Sequence, residues 1–140
     1  MIKSIITLAF IGLLAYGGWE AWQMWQKYDS SNDQTRQEEA AVKCIDPTQL
    51  AGMPQAWEDS YQKANDAAKA GDLTALRAWL KMYGQHVNDP RRAWIELDYM
   101  VMISKEDPQE AKLIYESVRD RTPQNSPVYP RIKLLEKTYE

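Results

Sequence analysis

Helix-start signals recur along the second half of this chain at nearly even intervals. Asp72, Asp89, Asp107 and Ser126 stand 17, 18 and 19 residues apart, and the last three are each followed by proline. A short oxygen-bearing side chain accepts hydrogen bonds from the exposed amides of a helix's first turn. Proline at the first helical position loses nothing there, because its missing N–H had no partner to lose. A chain punctuated this way is restricted to a run of short helices joined by short turns.

The apolar residues fall in register with that punctuation. Pro54 opens a segment that runs to Ala70 and closes at Gly71. The next carries Leu73, Leu76, Trp79, Leu80 and Tyr83 up to Gly84. Trp94, Leu97 and Val101 mark the third, and Ala111, Ile114, Tyr115 and Val118 the fourth. Val128, Ile132, Leu134 and Leu135 mark the fifth. The period is helical and β-branched alternation is nearly absent, so the expected class is all-α.

Larger spacings add a second level. Trp57 and Trp94 are 37 residues apart, and Trp94 and Tyr129 are 35 apart. Two helices per unit of about 35 residues is the period of helix-turn-helix solenoids. Over residues 54–140 the chain resembles the tetratricopeptide repeat. Trp94 and Leu97 match the start of a repeat unit, and Ala111, Tyr115 and Pro123 match its second helix with one residue inserted. Trp57, Ala75, Trp79 and Pro90 fit a preceding unit more loosely. Asp98 departs from the small residue that the family prefers, and the first unit lacks the leucine. An ordinary antiparallel helical bundle gives similar spacings and is the alternative.

The resemblance implies that the first helix of each unit lines a concave groove. Arg92, Glu96, Tyr99 and Met102 would face it from one unit, and Glu58, Gln62 and Asn65 from the other. Arg91 and Arg92 stand in a first helical turn, where the positive end of the helix dipole repels them. Asp89, Glu96 and Asp98 can compensate; the sharper reading is that Arg92 meets an anionic group of a partner in the groove.

The first 28 residues read differently. Residues 4–19 are uncharged, and Tyr16, Trp19, Trp22, Trp25 and Tyr28 follow the greasiest part. Such a pattern leads one to expect a single transmembrane helix with an aromatic belt at the membrane interface. The uncharged stretch is short, at roughly 24 Å of helix against a hydrocarbon core of roughly 30 Å. Its rivals are a cleaved secretory signal, with Lys3 and Ala15-Tyr16-Gly17 as start and cleavage site, and a pilin-type stem, for which the processing site and early glutamate are missing. Residues 29–53 are read as a polar linker and loop, with a helical stretch allowed from Gln34 to Val42. A retained anchor leads to the expectation of a bacterial inner-membrane protein, with its N-terminus cytoplasmic and residues 54–140 periplasmic.

Composition narrows the chemistry. The formal net charge is -3 and no basic run occurs, so nucleic acid is not expected as a partner. Cys44 and His86 are the sole cysteine and histidine, so neither a disulfide framework nor a Cys/His metal site is expected. Glu38-Glu39, Glu58-Asp59 and Glu106-Asp107 are adjacent pairs, which point to different sides of a helix and make no catalytic dyad. Glycine-rich phosphate loops, calcium loops and haem motifs do not occur. The sequence therefore leads to a noncatalytic expectation, without cofactor or small-molecule substrate: a membrane-anchored accessory or scaffold subunit that contacts lipid and docks on other subunits of a membrane complex. The alternative is a chaperone-like adaptor that captures extended peptides in its groove.

Overall fold

The structure, a computed structural model, describes residues 2–139, with side chains described for residues 16–29 and 32–139. Among the described residues six α-helices follow one another: α1 (Ile2–Lys43), α2 (Gln55–Lys69), α3 (Leu73–Tyr83), α4 (Arg91–Ile103), α5 (Pro108–Arg121) and α6 (Tyr129–Tyr139). Short 3₁₀ turns lie at Pro47–Gln49 and Gly84–His86. No strand occurs among the described residues. The chain divides into two compact units, Met1–Gln37 and Glu38–Glu140.

The first unit corrects the expected transmembrane anchor over residues 1–28. Among the described residues, no helix is long and apolar enough to cross a membrane. The helix itself is long, but Glu20, Gln23, Gln26 and Lys27 interrupt its apolar sequence before a bilayer's thickness is reached. The greasiest part of the expected span, residues 5–14, lies outside the residues whose side chains are described, as does the small-residue site's Ala15. The polar stretch from Asp29 to Lys43 continues α1 instead of forming a loose linker. From Gln34 onward Gln, Arg, Glu, Ala and Lys, all good helix formers, make up most of it.

In the second unit consecutive helices pack in order: α2 on α3, α3 on α4, α4 on α5 and α5 on α6. The arrangement is compatible with a helical repeat. Local chemistry sets the helix ends. Asp72 accepts from the Thr74 amide at 3.2 Å, and Asp107 accepts from the Glu110 amide at 2.9 Å with Pro108 following it. The α2 C-terminus closes by the Schellman pattern: Gly71 N–H bonds Ala68 C=O, and Asp72 N–H bonds Ala67 C=O. Gly71 takes φ +109° there. Two boundaries differ from the sequence reading. Pro90 precedes α4, and Asp89 reaches the Ala93 amide at 3.1 Å; α6 begins at Tyr129, three residues after Ser126.

Helix α4 is the centre of the core. Ala93, Trp94, Ile95, Leu97, Tyr99, Met100 and Ile103 are all buried, which covers most of its circumference. Tyr61, Leu76 and Trp79 pack on one side of the core cluster, and Ala111, Tyr115, Val118 and Ile132 complete it. Trp79 and Tyr61 meet edge to face at 5.2 Å. The loop before α2 is stitched to the start of α4: Asn88 N–H donates to Gly52 C=O at 2.8 Å, and Arg91 N–H to Ala51 C=O at 3.1 Å.

Candidate functional site

A groove of about 340 Å³ runs between the end of α3, one face of α4 and α5. Leu80, Leu113 and Ile114 give it apolar walls; Arg92, Glu96, Tyr99 and Glu110 supply polar groups. Arg92, Glu96 and Tyr99 reach the same groove because steps of four and three residues keep them on one helix face. Leu113 is 67% exposed, a large share for a leucine beside a core helix.

The polar groups are held in a network. Arg92 Nε donates to Glu96 Oε1 at 3.0 Å, one turn along α4. Glu96 also binds Arg121 Nη2 from α5, and Arg121 Nε donates to Asp89 Oδ2 at 3.1 Å. At the positive end of the α4 dipole Glu96 thus offsets Arg92, while Arg91 is offset by Glu58 from α2. The hydrogen bonds to Glu96 and Asp89 raise the Arg121 pKa despite its partial burial. Tyr99 accepts from Arg77 Nε at 2.9 Å and donates to Glu110 Oε1 at 3.1 Å, joining α3, α4 and α5. Burial pushes the Tyr99 phenol above its ordinary pKa.

The remaining residues expected in one groove are distributed elsewhere. Met102 lines a second depression with Leu73 and Val101. Gln62 and Asn65 line a third cavity with Tyr61, Lys69, Arg91 and Trp94. Glu58 is buried beneath it, where its Oε1 accepts from Arg91 Nη2 at 2.6 Å and from Gln62 Nε2 at 3.0 Å. The structure thus brings Arg92, Glu96 and Tyr99 together and sets Glu58, Gln62 and Asn65 on another side of α4. Sequence reasoning missed Leu80, Leu113 and Ile114 as groove walls. Leu113 did carry a signal, since it falls off the Ala111–Ile114–Tyr115–Val118 core stripe.

On the first unit, Tyr16, Trp19, Trp22, Met24, Trp25 and Tyr28 are each more than half exposed. Trp22 and Trp25 touch edge to face at 6.3 Å. Steps of three residues rotate the aromatic rings around α1, so they form a partial collar instead of a stripe. His86 is exposed and lies against the Trp57 ring at 6.4 Å. Cys44 is exposed. Among the described residues no group of three His, Cys, Asp or Glu side chains could hold a metal ion.

No protein-family model matches the chain, and neither a curated protein nor a solved structure proved similar to it.

Proposed function

We propose that this protein is a noncatalytic accessory or scaffold subunit, whose helical domain docks on other protein subunits of a membrane-associated complex. The observation that carries this reading is the groove between α3, α4 and α5, with apolar walls, the exposed Leu113 and a charged margin. An anchor residue entering such a groove removes apolar surface from water, while Arg92 and the acids around it select partners by charge. The repeat is of tetratricopeptide type: Trp57 and Trp94 recur on α2 and α4, while Ala111 and Tyr115 pack fully buried on α5. Asp98, the residue that departs from that pattern, is bound by Tyr61 and Arg131.

The aromatic collar supports the membrane association. Tryptophan and tyrosine rings concentrate at bilayer interfaces, where an apolar ring and a polar tip are both accommodated.

The test is co-purification of the tagged full-length chain from its own cells after mild detergent extraction. Leu113→Asp and Arg92→Ala should reduce the bound partner with helicity unchanged, and Lys63→Ala, an exposed residue outside the groove, should not. Equal recovery with all three variants removes the groove from the account.

A further inference from the structure

Over residues 18–28 the side chains of α1 sort by type around the helix. At about 100° per residue, Gly18, Ala21, Trp22, Met24, Trp25 and Tyr28 fall within an arc of about 160°. Glu20, Gln23, Gln26 and Lys27 all fall in the opposite arc, with Trp19 between the two glutamines. Every residue of the apolar arc is exposed, and a Cβ built on Gly18 meets nothing within 4 Å. Asp29 returns to the same arc and ends the face. The result is an open, uncharged, aromatic face roughly 15 Å long, or about three helical turns.

Residue type and charge indicate what covers this face. Tryptophan and tyrosine join an apolar ring to an N–H or O–H donor, which suits the depth where acyl chains meet headgroups. A helix segment that is apolar on one side and polar on the other lies along such a surface and does not enter it end-on. Helices that seek anionic lipid carry several lysines and arginines on their polar side. Here that side holds Lys27 against Glu20, and Asp29 and Asp33 follow directly. The local charge therefore disfavours an anionic surface. We propose that residues 18–28 lie flat in the headgroup layer of a zwitterionic lipid surface, with Trp22, Trp25 and Tyr28 turned toward the acyl chains and Trp19 left on the water side. This rests on the membrane association proposed above and adds the orientation of α1 and the class of lipid.

Two measurements on the full-length chain test this. In vesicle flotation the wild type should bind phosphatidylcholine more tightly than phosphatidylglycerol. Trp22→Ser should weaken binding to phosphatidylcholine about tenfold, and Trp19→Ser should leave it unchanged. In a Cys44→Ser background, nitroxide labels are then attached one at a time through Gly18→Cys, Glu20→Cys, Ala21→Cys, Gln23→Cys, Trp25→Cys and Lys27→Cys. Collision with oxygen, set against collision with a water-soluble nickel chelate, reads the depth of each label. Labels at 18, 21 and 25 should read as immersed, and those at 20, 23 and 27 as aqueous. A depth that changes steadily along the helix would mean an end-on orientation, and tighter binding to phosphatidylglycerol an anionic surface. Equal losses from Trp19→Ser and Trp22→Ser would mean that the rings act without a preferred face, and no binding to either vesicle would leave the face to a protein. Each of these four results overturns the proposal. Wild-type flotation decides the lipid class if a labelled variant fails to fold. Failure here leaves the Leu113→Asp co-purification result unaffected.

Discussion

Arg91 Nη2 lies 2.6 Å from Glu58 Oε1 and ties the first residue of α4 to the first turn of α2 across 33 residues of chain. Both side chains are nearly withdrawn from water, at 1% and 9% exposure. The Arg91 guanidinium also sits over the Tyr61 ring at 5.0 Å. Removing one partner of such a pair strands the other charge. Glu58→Ala should therefore cost about 3–5 kcal/mol, and replacement of both by apolar residues, Glu58→Leu with Arg91→Met, should cost less than either single change. Urea titration of the three variants measures this; an additive double variant contradicts it.

Tyr61 donates to Asp98 Oδ2 at 2.9 Å. Burial first, and the Asp98 carboxylate second, push its phenol far above the ordinary pKa of 10.0. The folded state then holds the proton after the unfolded state has released it. The stabilisation is complete below pH 10 and is lost as pH rises beyond it, by about 1.4 kcal/mol per pH unit for this one group. Tyr61→Phe should cost about 1 kcal/mol at neutral pH and lose less stability than the wild type above pH 10. Denaturant melts at pH 7 and above pH 10 measure both effects; parallel losses would count against it.

Gly52 and Gly71 separate two costs of adding a side chain. Both have positive φ, +123° and +109°. A Cβ on Gly52 would stand 2.0 Å from the Asn88 carbonyl oxygen, whereas one on Gly71 meets nothing within 4 Å. Gly71→Ala should cost about 1–2 kcal/mol for backbone strain alone. Gly52→Ala adds a backbone clash and should exceed it by about 2 kcal/mol. Thermal melts showing equal losses would place the strain elsewhere.

The aromatic collar predicts vesicle binding by the full-length chain. Trp22→Ser and Trp25→Ser should each weaken co-sedimentation with lipid vesicles by about tenfold, or ~1.4 kcal/mol. Binding unchanged by both would assign the rings to a protein partner.

Much of the domain is legible in the sequence, because helix ends are set locally. Asp72, Asp107 and Gly71 act where a cap or a left-handed stop is read from one or two residues. Of the two shifted boundaries, Pro90 lies where the chain is bonded to the loop before α2, and Tyr129 follows the fully buried Val128. Arg91 and Arg92 illustrate what local patterns leave open. They are about 100° apart on a helix, and the one that turns inward is selected by Glu58, which is distant in sequence. Of the residues expected to line one groove, Arg92, Glu96 and Tyr99 do so and Glu58, Gln62, Asn65 and Met102 do not, since the walls from α3 and α5 depend on how helix pairs stack. At the N-terminus, apolar residues and tryptophans suggested a span, but polar side chains from Glu20 onward shorten the apolar run below what crossing demands.

Native mass spectrometry of the chain extracted from its own cells in mild detergent tests the central claim most directly. The account predicts one assembly of fixed stoichiometry, in which the wild-type chain is retained and the Leu113→Asp chain is released. A wild-type chain that emerges alone, or with many unrelated proteins in variable amounts, would contradict it.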